Sequence, residues 1–121
     1  MHDNLVANKS KDFALEIIRL YRKLVDYRCP RDLSSQLLRS GTSIGANIRE
    51  GEVAQSRADF VARYNIALKE ANETDYWLDL LHDAGYIPDS HYDYLSPRCK
   101  DIVYMLISIL KSTNENKKEI H

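Results

Sequence analysis

The chain has few of the residues from which metal sites, phosphate loops and disulfide frameworks are built. Its 121 residues include only two cysteines, three prolines and four glycines. Cys29 and Cys99 have no short metal-ligand spacing, and we expect both to be free thiols. No run reaches the roughly 18 apolar residues of a membrane span, and the start lacks the apolar core of a signal peptide. We therefore expect a cytoplasmic protein with no membrane segment.

A large charge excess is also missing. The net charge of -1 and the pI of about 6.4 give no global sign of nucleic-acid binding. The charges are unevenly placed, however: Lys and Arg outnumber Asp and Glu over residues 1–63, and the reverse holds over 64–121. Between Glu70 and Asp93 there is no Lys or Arg at all. Such opposed fields can steer a partner or pair copies of one chain, or they are simply two solvated faces.

Catalytic motifs are missing too. The sequence has no glycine-rich phosphate loop, no G-x-S-x-G and no meaningful Ser/His/Asp spacing. A metal site in a helical bundle needs Glu-x-x-His on two helices, and only Asp79 with His82 approaches that spacing. We predict no catalytic residues, no metal and no cofactor, and hence a protein that is not an enzyme.

Apolar residues recur at helical spacing in four segments, and no segment alternates as a strand does. The spacing predicts helices over about 10–28, 32–54, 57–84 and 89–113, followed by a frayed polar tail over 114–121. Ser10, Asp32 and Ser56 are the predicted N-caps, and Gly85 is the predicted end of the third helix. Pro97 either kinks the fourth helix or is the first residue of a new helix capped by Ser96, and we favour a kinked, continuous helix. A strict heptad marks the third helix: Phe60, Tyr64, Ala67, Ala71, Thr74, Leu78 and Leu81.

Four helices of this length with short connections predict one domain over 1–121, an all-α antiparallel up-down-up-down four-helix bundle. The second helix carries small residues over 37–51, including Gly41, Gly45 and Gly51. A glycine inside a helix costs about 1 kcal/mol relative to alanine. Close packing against a neighbouring helix must offset that cost, so we expect these positions to lie near another backbone.

More apolar residues are present than one core needs. Second apolar rows lie about 100° from the first on helices one, three and four. A broad stripe around a single core explains part of this surplus. Tyr and Trp are favoured at buried protein–protein contacts, however, and we expect the chain to associate with copies of itself. The candidate interface residues are Ile66, Tyr76, Trp77 and Leu80.

Two sets of polar residues are candidate sites. Arg39, Ser43, Asn47 and Glu50 share one side of the second helix, and we interpret them as a buried polar line that fixes helix register or a subunit contact. A ligand site is the alternative interpretation. The second set contains candidate nucleic-acid contacts, and its alternative is a solvated face whose cations pair with helix acids. Its members are Arg19, Arg22, Lys23 and Arg39.

Two blocks of the sequence resemble a known family. They are Gln36–Gly51, reading QLLRSGTSIGANIREG, and Ile66–Leu81, reading IALKEANETDYWLDLL, with Ser56 between them and Gly85 after them. They look like the S23, or 23S rRNA intervening-sequence, protein family. The resemblance implies a left-handed four-helix bundle that assembles as a homopentamer. It also implies a relation to the accessory protein of diversity-generating retroelements, which binds nucleic acid and a reverse transcriptase.

Together these observations favour a non-enzymatic oligomeric bundle, a homopentamer that acts as an assembly factor or as an accessory protein associated with RNA or DNA. The alternative is an interaction module whose acidic third helix docks a basic protein partner. Reversing the charges of Asp75, Asp79 and Asp83 is the sequence-based test that separates the two.

Overall fold

The computed structural model describes the backbone over residues 5–120 and side chains over 5–114. All four elements are α-helices: α1 is Leu5–Asp26, α2 is Arg31–Glu52, α3 is Arg57–Asp83 and α4 is Asp89–Ile120. Each helix packs against the next, and α4 returns to α1, so the helices form a closed four-membered bundle. The predicted all-α bundle is confirmed.

The core is built from the heptad rows. On α3 every predicted row residue from Tyr64 to Leu81 is buried, and Phe60 at the start is half-buried. On α1 the buried row begins earlier than predicted, because Val6 and Ser10 continue the spacing of Phe13 and Ile17. Ser10 is therefore a buried interior residue rather than the N-cap, and the helix begins at Leu5.

Two other helix ends differ from the prediction. Asp32 lies in the first turn of α2, because the carbonyl of Pro30 accepts the N–H groups of Leu33 and Ser34 and so begins the helix one residue earlier. At the other end of the chain, α4 continues to Ile120 instead of ending near residue 113. The side chains of the predicted polar tail beyond 114 lie outside the described residues.

Four predicted features are present. The hydroxyl of Ser56 accepts the Asp59 N–H at 3.1 Å and caps α3. Gly85 follows α3 with φ +90°, the left-handed conformation that ends many helices. Pro97 lies inside a continuous α4, as the apolar spacing on both sides of it indicates. Cys29 and Cys99 are both buried free thiols.

Gly41 and Gly51 of α2 pack against side chains of neighbouring helices, and only Gly45 lies near a neighbouring backbone as expected. A Cβ on Gly41 would lie 2.9 Å from Cγ2 of Ile17, and one on Gly51 would lie 2.6 Å from the Tyr64 ring. Gly45 is different, since a Cβ there would make ordinary contacts with Ser10 at 3.6 Å. Only two of these glycines are therefore required by packing against α1 and α3.

Candidate nucleic-acid interface and the surrounding faces

The surface between α1 and α4 is a groove, because these two helices pack less closely than the other neighbouring pairs. Its larger part has a volume of about 610 Å³. Arg19, Arg22 and Lys23 line it from α1, while His91 and Tyr94 line it from α4. We call this surface the α1–α4 groove. It brings three of the four predicted nucleic-acid contacts into one concave site.

The groove holds charges of both signs. The carboxylate of Glu16 lies 2.5 Å from Nη1 of Arg19 and partly neutralises the charge of that guanidinium. Asp26 also lines the groove. Among the described residues no carboxylate pairs with Arg22 or Lys23, and the Nζ of Lys23 lies 3.4 Å from Nε2 of His91. Two cations of the groove are thus available to an anionic partner.

A smaller groove of about 420 Å³ continues the first along the same seam. Tyr94 borders both grooves and is 46% exposed. The guanidinium of Arg98 lies 3.6 Å from the centre of its ring, and Arg98 Nη1 donates to the Tyr94 carbonyl at 2.7 Å. Sequence analysis missed Tyr94 and Arg98 as site residues. Their i,i+4 spacing, one step outside the core row of α4, was the available signal.

Arg39 does not belong to this site. It lies between α2 and α3, whereas the other three candidates lie between α1 and α4. Its Nη2 donates to both carboxylate oxygens of Glu73, at 3.0 and 3.1 Å, and to Gln36 at 3.2 Å. A second contact reaches Glu70 at 3.5 Å. The structure thus separates Arg39 from the other three nucleic-acid candidates, because carboxylates of α3 hold its side chain.

The predicted polar line on α2 is not buried. Arg39 and Glu50 are exposed, and Ser43 and Asn47 are half-buried. Ser43 and Asn47 each bond to a carbonyl one turn earlier, at 2.6 and 2.9 Å. Glu50 pairs with Arg63 of α3 at 2.9 Å. The prediction of burial is wrong because these residues lie one helical position outside the core row of α2, where ion pairs with α3 hold the row at the surface.

The two carboxylates facing Arg39 have different acidities. Burial and the hydrogen bond with Glu73 raise the pKa of Glu70. Burial also acts on Glu73, but the hydrogen bonds from Arg39 and Glu70 outweigh it and lower the pKa of Glu73. The contact of Arg39 with Glu73 is therefore an ion pair that joins α2 to α3, with Glu70 beside it.

The four candidate interface residues lie on α3. Tyr76 is 57% exposed, Ile66 and Leu80 are also exposed, and Trp77 is half-buried. The Trp77 and Tyr76 rings meet edge to face with centres 5.2 Å apart. The spacing of these residues from Glu70 and Glu73 places Ile66 and Trp77 on the α2 side of α3. We call Tyr76 and Leu80, with Trp77 beneath them, the α3 ridge.

The second apolar rows do not form one surface. Lys100 contacts Asp75 of α3 at 3.0 Å, so Val103 and Ile107, which follow Lys100 by one and two turns, lie on the α3 side of α4. The α3 ridge lies on a different face of α3, away from the contact of that helix with α4. On α1, Ala14 lines a groove against α2. The surplus apolar residues therefore flank three different seams.

Some of the acidic side chains between Glu70 and Asp93 already make contacts within the bundle. Asp75 pairs with Lys100, and Asp79 accepts the hydroxyl hydrogen of Tyr92. Asp83 is free of the core, with its side chain 81% exposed. Reversing the charges of all three would break contacts inside the bundle, so the sequence-based test would disturb the fold as well as the surface.

Over the described residues no three His, Cys, Asp or Glu side chains gather into a possible metal site. Within the same residues, none of the helices combines the length and the apolar character that crossing a bilayer requires.

The comparisons with known proteins agree with this architecture. A family model described as 23S rRNA-intervening sequence protein matches residues 2–108. A crystal structure from Bacteroides thetaiotaomicron, described as a protein with unknown function from the S23 ribosomal protein family, is 54% identical. The match covers 88% of this chain and 98% of that one, with a TM-score of 0.85. No curated protein matches the chain.

Proposed function

The chain belongs to the 23S rRNA-intervening sequence protein family, and from that premise we propose that it is a non-enzymatic, self-associating bundle that binds single-stranded nucleic acid in its α1–α4 groove. A cytoplasmic location is part of the proposal, since both cysteines are free thiols. The observation that carries it is the convergence of Arg19, Arg22 and Lys23 on one concave surface beside an exposed tyrosine.

This combination suits a flexible strand. Cations follow the phosphate backbone, and an exposed aromatic ring offers a stacking platform to any base. Tyr94 supplies the ring, and Arg98 stacked on it adds a further cation. The groove has no array of amide side chains that would read base edges, so the binding is expected to be tolerant of sequence.

Self-association strengthens weak sites. One groove offers few cations and retains Glu16 and Asp26 within it, so a single copy should bind weakly. A homopentamer, which the family resemblance implies, presents five such grooves to one strand and raises the effective affinity without new contacts. Light scattering at micromolar concentration tests this part, and a single-chain mass of 14.0 kDa would contradict it.

The nucleic-acid part is tested by fluorescence anisotropy with a 20-nucleotide single-stranded RNA. Three neutralised phosphates predict about a twentyfold loss of affinity between 50 and 200 mM salt, and more if several subunits engage. The double variant Arg22→Glu, Lys23→Glu should abolish binding and leave the oligomer intact. Lys111→Glu is the matched control, because Lys111 is an exposed cation of α4 outside the groove. Absent binding, or binding insensitive to salt, contradicts the proposal.

A second candidate function is docking of a basic protein on the acidic surface where α3 ends and α4 begins. The strongly exposed carboxylates of Asp83 and Asp89 favour it. Asp83→Lys tests it more cleanly than a triple reversal, since His82 next to it is the one ion-pair partner of Asp83 among the described residues. Loss of binding to a basic protein in Asp83→Lys, together with absent RNA binding by the unmodified chain, would favour this function over the first.

A further inference from the structure

The chain after α1 holds an arginine where the chain after α3 holds a glycine. Arg28 and Gly85 both have left-handed backbone conformations, with φ +63° and +90°. The hydrogen bonds around them are the same: the N–H of each bonds to the carbonyl three residues earlier, and the next N–H bonds to the carbonyl five residues before it. This is a common way for a helix to end. Glycine adopts the conformation freely, whereas a residue with a Cβ is strained there.

No contact within the described part of the bundle offsets this strain. The side chain of Arg28 is exposed, and it forms no ion pair or side-chain hydrogen bond with any residue that the structure describes. A glycine would suit the turn better, so the arginine lowers the stability of the fold. Strained residues of this kind are concentrated at functional sites, where the side chain serves a purpose other than folding.

An exposed aromatic ring lies beside the strained residue. Tyr27, directly before Arg28, is 48% exposed, and its ring contacts no other ring and no cation of the described chain. Cys29, directly after Arg28, is buried in the core, and Pro30 is the N-cap of α2. We call residues 27–30 the α1–α2 turn. It presents one ring and one cation to the solvent from a backbone that is fixed on both sides.

The α1–α2 turn continues the α1–α4 groove. Asp26, the last residue of α1, lines the groove, and Lys23 reaches His91 across it one turn earlier. The turn begins at the next residue of the chain. Lys and Arg outnumber Asp five to two over residues 19–32, and no Glu occurs there. The positive charge that lines the groove therefore extends past the end of α1.

We infer that the α1–α2 turn is part of the nucleic-acid site. Arg28 contacts a phosphate where the single strand leaves the groove, and the Tyr27 ring stacks on one base of that strand. Along the groove, Arg22 and Lys23 then lie between two stacking platforms, Tyr94 and Tyr27. The inference rests on the proposed function and adds two residues to its site.

Arg28→Gly tests the phosphate contact, because stability and binding should change in opposite directions. The variant should unfold at a higher temperature than the unmodified protein and yet bind the single-stranded RNA at least about fivefold more weakly at about 100 mM salt. The slope of log affinity against log salt should become shallower by at least about 0.7, the share of one phosphate on a single strand. Arg28→Lys should retain the slope. Lys111→Ala, which removes an exposed cation of α4 outside the groove, is the matched control and should change neither quantity.

Tyr27→Ala tests the stacking contact. It should lower the RNA affinity by roughly fivefold or more and leave the salt slope unchanged, because a stacked ring releases no counterion from a phosphate. Tyr27→Phe keeps the aromatic face and should keep the affinity. Tyr104→Ala is the matched control, since Tyr104 is 67% exposed on α4 and lines neither part of the groove.

The outcomes separate this inference from the proposed function. If the unmodified protein binds no RNA, the proposed function fails and the inference fails with it. If the double variant Arg22→Glu, Lys23→Glu abolishes binding while Arg28→Gly keeps the affinity and the slope, the groove is the site and the α1–α2 turn is not part of it.

The remaining outcomes concern the two side chains singly. A weaker affinity in Arg28→Gly at an unchanged slope would overturn the phosphate contact, and an unchanged affinity in Tyr27→Ala would overturn the stacking. A less stable Arg28→Gly would overturn the argument from strain. Arg28→Asn, whose side chain also tolerates the left-handed conformation, repeats the binding measurement in that case, so the phosphate contact is tested either way. Circular dichroism confirms that each variant is folded.

Discussion

Gly51 of α2 lies directly against the ring of Tyr64 on α3: a Cβ at position 51 would be 2.6 Å from Cε1 and 2.7 Å from Cδ1 of that ring. The ring cannot easily withdraw, because Tyr64 is buried, stacks on Phe60 with ring centres 4.2 Å apart, and donates its hydroxyl hydrogen to Glu52 at 2.7 Å. This contact sets how closely α2 and α3 approach.

We therefore predict that Gly51→Ala and Gly41→Ala each lower the free energy of unfolding by about 1–2 kcal/mol, because overpacking outweighs the gain in helix propensity. Gly45→Ala is the matched control, and it should raise stability by up to about 1 kcal/mol, since its Cβ would meet Ser10 at an ordinary distance. Urea denaturation at a fixed protein concentration measures all three. Equal effects at the three positions would contradict the packing argument.

Two of the residues that the structure describes have left-handed backbone conformations, and they allow a paired prediction. Arg28 has φ +63° after α1, and Gly85 has φ +90° after α3. Arg28→Gly should stabilise the protein by about 0.5–1 kcal/mol, because relief of the strained conformation exceeds the added entropy of the unfolded chain. Gly85→Ala should destabilise it by about 1 kcal/mol for the converse reason, and no atom within 4 Å adds a clash. Opposite signs in thermal unfolding are the expected result.

The contact of Arg39 with Glu70 and Glu73 predicts a pH-dependent defect. Arg39→Met leaves the two carboxylates side by side without a counter-charge, and we expect a loss of about 1 kcal/mol at neutral pH, since the contact is partly exposed. The loss should shrink as the pH falls, because the raised pKa of Glu70 makes that carboxyl the first of the two to take up a proton. Arg22→Met, at an exposed cation without an ion pair among the described residues, should show no such dependence. A pH-independent loss would contradict this account.

His82 joins the end of α3 to the start of α4. Its Nε2 lies 2.7 Å from the Asp89 carboxylate, and its ring stacks on Tyr92 with centres 4.1 Å apart. The hydrogen bond with Asp89, helped by the charges of Asp89 and Asp83 and opposed by burial, raises the pKa of His82 above 6.5. Protonated His82 therefore favours the folded state.

The sign of the effect follows from linkage. A raised pKa contributes stability that is fully present below the unfolded value of 6.5 and is lost as the pH rises through the folded pKa. The difference in melting temperature between the unmodified protein and His82→Gln should thus be largest near about pH 5.5 and smallest near about pH 8.5. The variant Asp89→Asn should remove most of this dependence. A difference that grows with pH would contradict the assignment.

Local spacing predicted the helices and their buried rows well. The α3 heptad is confirmed from Tyr64 to Leu81, because a single apolar row on a helix leaves water only when that face packs against the rest of the bundle. The start of α1 was misjudged for the opposite reason. Ser10 is a strong capping residue in isolation, yet Val6 one turn before it is completely buried, and burial of that side chain outweighs the capping preference.

Polar residues were harder to place. Arg19, Arg22 and Lys23 lie together in the structure because they share one helix face. Arg39 lies apart from them because its partners, Glu70 and Glu73, are more than thirty positions away. The spacing of residues within α2 does not predict which charged side chains of α3 will lie next to them.

The sequence by itself determined the four helices, the face that each one buries, and the glycines at which α2 packs closely against its neighbouring helices. These follow from backbone geometry and the removal of apolar groups from water, which act over a few turns of one helix. Only the tertiary structure decided that α1 and α4 are separated by a groove, that Tyr94 and Arg98 border it, and that the polar line of α2 lies at the surface. Those outcomes depend on the distances between helices. These distances result from the packing of the buried side chains of all four helices at once, so no single helix determines them.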